Sequence, residues 1–232
     1  MKAHERLIVA LDVKGPDEAR TLVAKIGAYA GVWKIGLELL FSGGAELARE
    51  LSAQGQKVFV DAKLLDISNT VERATANIAA MGAAFLTIHG HDIKTLKSAV
   101  AGRGDAPLKL LAVTVLTSLN AADLTEQGIE ESPADLALRR AERAKKSGFD
   151  GVIASGHEAA SIREATGDDF LIVTPGIRPA GADADDQARV MTPTKAIRAG
   201  ADYLVVGRPI TQATDPGAAA RAIVEEIEQA LV

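Results

Sequence analysis

Cysteine is absent from all 232 residues, which excludes disulfides, thiolate nucleophiles and cysteine-based zinc sites. Aromatic residues make up only 3% of the chain. The core must therefore rest on Ala, Val, Leu and Ile, which suits parallel strands buried on both faces beneath Ala-rich helices. No apolar run approaches the ~18 uninterrupted residues of a membrane span. The apolar start of the chain meets Asp12 too early to be a secretory signal, so a soluble cytoplasmic protein is expected. Basic charge is not in excess: 26 Lys and Arg face 31 Asp and Glu, a net charge of −5. That balance argues against nucleic acid as the main partner, while a locally positive site for an anionic small molecule stays open.

What the chain does have is a recurrence of short aliphatic runs. They are Leu7–Val13, Val32–Leu37, Lys57–Lys63, Phe85–Gly90, Leu108–Thr117, Gly151–Ser155, Leu171–Gly176 and Tyr203–Gly207. Between them lie Ala-rich, charge-decorated segments of helical character. Ser132, Thr192 and Asp215 each place a capping side chain before a proline at the first helical position, and Pro16 suits the same position. Asn69 and Glu72 have capping-box spacing, and Gly148 and Gly200 stand where helices end. Eight such units in a chain of this length predict a single α/β domain over residues 1–232, a (β/α)8 TIM barrel. An open doubly wound sheet is the alternative, but no strand is followed by a Gly-x-Gly-x-x-Gly turn.

Chemistry in such barrels sits at the C-terminal strand ends. Those ends carry Asp12, Lys34, Asp61 with Lys63, His89, Thr117, Ser155, Pro175-Gly176 and Gly207-Arg208. The densest stretch is Val58-Phe59-Val60-Asp61-Ala62-Lys63-Leu64-Leu65-Asp66. Strand alternation sets Phe59, Asp61 and Lys63 on one face, and the same logic turns Lys34 into the barrel mouth. Asp66 follows closely enough to be expected within reach of the Lys63 ammonium. A structural ion pair explains one such residue, but clustered ionisable groups at one end point to catalysis. At the opposite strands, Gly207 with Arg208 offers backbone access and a bidentate fork to phosphate. The long segment from Arg178 to Thr192 suggests a lid with Gln187 as a polar tip. His89 and His91 form an H-x-H pair that lacks an evident third metal ligand, so a structural or substrate-proximal role for His89 stands beside the metal reading.

Taken together these motifs resemble the orotidine 5′-phosphate decarboxylase family in its short bacterial form. The resemblance runs from Leu11-Asp12-Val13 and Lys34-Ile35-Gly36 through Asp61-x-Lys63-x-x-Asp66-Ile67-x-x-Thr70. It continues in Leu116-Thr117-Ser118, Thr174-Pro175-Gly176-Ile177-Arg178-Pro179, Gln187 and Val206-Gly207-Arg208-Pro209. Ser68 stands where that family usually has Pro or Gly, Leu65 where it often has His, and Gly90-His91-Asp92 replaces a small-residue, Gly-Gly turn. The resemblance implies conversion of orotidine 5′-phosphate to uridine 5′-monophosphate (UMP) and CO2. Lys63 would be the proton donor to C6, Asp61 would lie by the substrate carboxylate, and Lys34 would hold Asp61 and contact the ribose. Asp12 would bind a ribose hydroxyl, and Thr117 and Ser118 would meet the pyrimidine edge. Arg178, Gln187, Gly207 and Arg208 would gather around the phosphate. Asp66 and Thr70 would enter the neighbouring subunit's site in a homodimer. With no cysteine and no evident metal cluster, no cofactor is expected and the protein itself must supply the field. The D-x-K-x-x-D element is shared with the 3-keto-L-gulonate 6-phosphate decarboxylase and hexulose-phosphate synthase group. Those enzymes use Mg2+ and carry Glu on the second strand, where this chain has Lys34. A non-catalytic phosphate-binding barrel is a further alternative.

Overall fold

The computed structural model describes residues 1–179 and 191–231. Parallel strands β1 (Leu7–Ala10), β2 (Val32–Gly36), β3 (Val58–Leu64), β4 (Phe85–His89), β5 (Lys109–Val113), β6 (Gly151–Ile153), β7 (Leu171–Thr174) and β8 (Tyr203–Val206) close into a barrel in sequence order. Closure is made by β1 against β8, with Leu7 opposite Leu204 and Val9 opposite Val206. Each predicted strand is present. The predicted runs overshoot at several ends, most at Leu108–Thr117, where the last ladder bond runs from the Thr114 amide to the Ile153 carbonyl and the Arg140 guanidinium takes the Thr114 carbonyl.

Alternation along the strands divides the apolar residues between two cores. Ile8, Ala10, Val32, Phe59, Leu111 and Val205 fill the barrel interior, while Val9, Trp33, Ile35, Val58 and Val60 face the surrounding helices. Three aromatic rings meet in the interior: Phe85 packs edge-on against Phe59 at 6.0 Å and against Tyr203 at 5.4 Å between ring centroids. The helix-start signals at Ser132, Thr192 and Asp215 are realised. Each side chain accepts an amide hydrogen from the third residue on, at Asp135, Lys195 and Ala218. Gly148 and Gly200 adopt positive φ, 88° and 101°, just past their helices, a conformation that glycine adopts without steric cost. The capping box at Asn69 is a misreading. The helix Ser68–Ala80 begins two residues earlier than a cap at Asn69 would place it, because the Thr70 and Val71 amides already bond to the Ile67 carbonyl, and no side chain caps it.

Two carboxylates clamp the N-terminal end of the barrel. Asp150 Oδ2 accepts from the Leu110 amide at 2.9 Å and from Arg103 at 2.7 Å. Asp202 Oδ2 accepts from the Ile172 amide at 2.8 Å and from Arg163 at 2.6 Å. Among the described residues no helix is long and apolar enough to cross a membrane.

Candidate active site

A cleft of about 800 Å³ opens at the C-terminal strand ends. Asp12, Lys34, Asp61, Lys63, Thr117, Ser118, Arg178, Gly207 and Arg208 all line it. One wall, from β1 to β3, carries a chain of alternating charge. Asp12 Oδ1 lies 2.9 Å from Lys34 Nζ, which lies 3.3 Å from Asp61 Oδ2. Asp61 Oδ1 in turn lies 2.9 Å from Lys63 Nζ. Strand alternation produces this row: Lys34 follows interior-facing Val32 by two residues, and Asp61 follows interior-facing Phe59 by two. Gly36 leaves room for it, since a methyl group there would stand 2.6 Å from Asp12 Oδ1 and 2.8 Å from Lys34 Nζ.

Burial of these charges is severe, with Lys34 at 6% and Asp61 at 8% exposure. Burial alone would push the Asp61 carboxyl up, but the ammonium groups of Lys34 and Lys63 and hydrogen bonds from Lys63 and Thr87 outweigh it. The net result holds Asp61 below the usual carboxylate range. Lys34 behaves in mirror image. Burial favours its neutral form, yet Asp61 and Asp12 carry its pKa above the ordinary lysine value. Both groups are therefore ionised at neutral pH.

β3 departs from regular geometry where the charges sit. Val60 pairs with Leu86 and Leu64 with Ile88, so Asp61, Ala62 and Lys63 together stand opposite Thr87 alone. Lys63 has φ 47°, the one positive φ outside glycine among the described residues. Thr87 Oγ1 donates to Asp61 Oδ1 at 2.8 Å and accepts from the Lys63 amide at 3.0 Å. Thr87 was not among the residues expected at the site. Alternation from interior-facing Phe85 could have found it, since Thr87 is the next residue on that face.

Asp66 lies elsewhere than expected. It is exposed, its Oδ1 accepts from the Ile67 amide at 2.6 Å, and it forms no ion pair with Lys63 within the chain. The β3 bulge and the turn after Leu64 direct it outward. Thr70 is also exposed, and Leu65 and Ile67 beside Asp66 are 51% and 73% exposed. His89 and His91 stack at 4.7 Å between ring centroids rather than converging on a point, and neither lines the cleft. Burial, followed by His91, Lys63 and Arg140, lowers the His89 pKa to about 4. Asp92 is engaged as the cap of the helix Ile93–Arg103, bonding the Thr95 amide at 2.9 Å. Among the described residues no group of three or more His, Asp or Glu side chains is placed to hold a metal ion.

The far wall comes from β7 and β8. Arg178 is buried, and its amide donates to the Met191 carbonyl at 3.0 Å while the Met191 amide donates to the Gly176 carbonyl at 3.2 Å. Those bonds tie the base of the Arg178–Thr192 segment to the cleft. Gln187 lies outside the described residues. Gly207 follows the end of β8, and Arg208 begins the short turn Arg208–Thr211.

The family described as orotidine 5′-phosphate decarboxylase / HUMPS matches residues 5–223. An orotidine 5′-phosphate decarboxylase of Rhodopseudomonas palustris (strain BisA53) is 52% identical over 227 residues, covering 98% of this chain and 96% of that protein. One from Methylobacterium sp. (strain 4-46) is 54% identical over 230 residues, 98% of this chain and 97% of the relative. The crystal structure of orotidine 5′-phosphate decarboxylase from Lactobacillus acidophilus superposes with a TM-score of 0.83 at 39% identity, over 95% of this chain and 98% of that one.

Proposed function

The chain belongs to the orotidine 5′-phosphate decarboxylase / HUMPS family, and from that premise we propose that it converts orotidine 5′-phosphate to UMP and CO2 in de novo pyrimidine synthesis. It acts in the cytoplasm as a single catalytic domain over residues 1–232. The observation that carries this reading is the row Asp12–Lys34–Asp61–Lys63 facing Arg178 and Arg208 across one cleft.

In the reaction the C6–carboxylate bond breaks, CO2 leaves, and its electron pair stays on C6 in the ring plane. No adjacent carbonyl delocalises that pair, so the uncatalysed barrier is very high, and accelerations of about 10^17-fold are asked of enzymes for such steps. Lys63 supplies the opposing charge as the pair develops and then passes a proton from its ammonium to C6, ending as a neutral amine. Asp61 keeps that ammonium in place from beside the substrate carboxylate. Lys34 holds Asp61 and reaches the ribose, and Asp12 takes a ribose hydroxyl. Thr117 and Ser118 meet the pyrimidine edge. Arg178, Gln187, Gly207 and Arg208 bind the phosphate, whose remote contacts help order the charged wall.

Asp66 and Thr70 serve the neighbouring site of a homodimer in this reading. Their exposure beside exposed Leu65 and Ile67 supports it, as does Phe41 at 89% exposure, since apolar surface of this kind favours a covering partner. The family name also covers enzymes of the Mg2+-dependent group. Lys34 disfavours that chemistry here, because its ammonium stands 3.3 Å from Asp61 and would repel a cation sharing that carboxylate.

Loss of orotidylate absorbance tests the proposal directly, and a merely phosphate-binding barrel would leave it constant. Lys63→Ala is expected to lose several orders of magnitude in turnover while still binding UMP, and near-normal turnover in that variant would overturn the role of Lys63. Prolonged chelation is expected to leave wild-type activity unchanged. A loss restored by Mg2+ would instead favour the metal-dependent chemistry.

A further inference from the structure

We propose that Thr87 is a positioning residue for the proton donor, acting through a single buried hydroxyl that fixes both the Asp61 carboxylate and the backbone of Lys63. The inference rests on the decarboxylase reading for its kinetic consequence, but its structural half stands without it. Thr87 is fully buried and does not line the cleft, so it acts on substrate only through its neighbours.

Three residues of β3 face one residue of β4, so the regular ladder cannot satisfy the Lys63 amide. An unpaired amide in the barrel wall is costly, and Thr87 Oγ1 accepts it at 3.0 Å. A residue other than glycine resists positive φ, so Lys63 at 47° must be held there by its surroundings. Among the described residues, the Thr87 hydroxyl is the group that bonds this amide.

That hydroxyl has one hydrogen, and it goes to Asp61 Oδ1 at 2.8 Å. The same oxygen of Asp61 receives Lys63 Nζ at 2.9 Å. Backbone amide, hydroxyl, carboxylate and ammonium thus form a closed ring that begins and ends on Lys63. Threonine suits this position because a hydroxyl donates and accepts at once on a short, β-branched stem with restricted χ1. Valine has the shape without either bond. Serine has both bonds without the second branch.

The test compares Thr87→Val with Thr87→Ser. Misplacing a reacting group by about 1 Å can cost about 10²-fold in rate, so Thr87→Val is expected to lose about 10²-fold in kcat with KM within about threefold of wild type. Thr87→Ser should recover to within about fivefold. Wild-type kcat in Thr87→Val, or equal losses in the two variants, would overturn the proposal. Should Thr87→Val not fold, Thr87→Cys carries the test. Its thiol is a weak donor and acceptor in the same place, and full activity there would refute the claim. Wild-type protein without orotidylate turnover would sink the decarboxylase reading alone. A crystal structure of the folded variant, Thr87→Val or Thr87→Cys, then decides the positioning claim. Lys63 leaving positive φ, or its Nζ leaving Asp61, supports it, and an unchanged Lys63 overturns it.

Discussion

Replacing Lys34 with methionine removes the ammonium that joins two carboxylates while leaving the barrel lining filled. The cost divides unequally. The Asp12 side chain is about half exposed, so its share is at most about 1 kcal/mol. Asp61 is buried, and stripping one partner from a buried pair costs about 3–5 kcal/mol. Lys63 at 2.9 Å and Thr87 at 2.8 Å still hold Asp61, so the lower end, about 3 kcal/mol, is expected at neutral pH. The pH dependence follows from the depressed Asp61 pKa. Its stabilisation is present above the unfolded carboxylate pKa and is lost as pH falls through the folded one. Without Lys34 the opposing effect of burial gains, the folded pKa climbs, and both stability and activity fail at a higher pH on the acid side. Urea unfolding can be followed through Trp33, the single tryptophan, which is buried in the native protein. With a slope of about 2–3 kcal/mol per molar urea, the midpoint should drop by about 1 M. A midpoint within about 0.2 M of wild type, together with an unmoved acid limb of kcat/KM, would refute the claim that Lys34 keeps Asp61 charged.

Two further perturbations probe regions outside this row. His89, lowered to about 4 by burial and by its cationic surroundings, should remain a neutral imidazole from pH 5 to 8. Between the ordinary 6.5 and 4 the unfolded chain binds the extra proton, so stability contributed at His89 falls as pH drops through that window. Carbon-13 imidazole shifts check this, and a His89 midpoint above 6 would contradict it. Arg163→Met cuts the bond to Asp202 and those to the carbonyls of Gly167, Phe170 and Gly200. A buried hydrogen bond to a charged group contributes about 1.5–3 kcal/mol, but these four share one partly exposed guanidinium and the freed partners can turn to water, so at least about 3 kcal/mol of stability should be lost overall. Because this end of the barrel serves stability, kcat and KM should stay within about twofold of wild type. A fall in kcat at unchanged melting temperature would contradict that separation.

The barrel was legible because doubly buried strands leave continuous aliphatic runs, and because Ser132, Thr192 and Asp215 announce helices through local chemistry alone. The inward turn of Lys34 and Asp61 was legible for a related reason, since period-two alternation needs no tertiary information. The bulge was not. It is a relation between β3 and β4, and nothing in the β3 sequence announces that Asp61, Ala62 and Lys63 face one residue of a neighbour. A reading that assumed an unbroken strand placed Asp61 and Lys63 correctly on one face but expected Asp66 at the same ammonium. It also missed Thr87, whose part depends wholly on the register. Asn69 failed for the opposite reason, because a local spacing rule was met where the Ile67 carbonyl had already begun the helix.

Two lysines stand in the charged row, and their hydrogen-bond arithmetic separates their tasks. Each ammonium carries three donors. Lys34 spends one on Asp12 and directs another at Asp61, and its side chain is almost wholly buried. Lys63 gives one to Asp61, and its side chain keeps 29% of its surface open in the cleft. The buried lysine thus directs two of its three donors at carboxylates and keeps one for the ribose it is proposed to reach, whereas Lys63 keeps two toward the space a substrate would fill. Two ammonium groups against two carboxylates leave the row without net charge, so in the proposed reaction the phosphate is assigned to the opposite wall, where Arg178 and Arg208 line the cleft. In that proposal local charge at Lys63 would act on the reacting carbon, while binding strength would be supplied at a distance from it. That division of labour is what a reaction requires when stabilisation must be greater in the transition state than in the bound ground state.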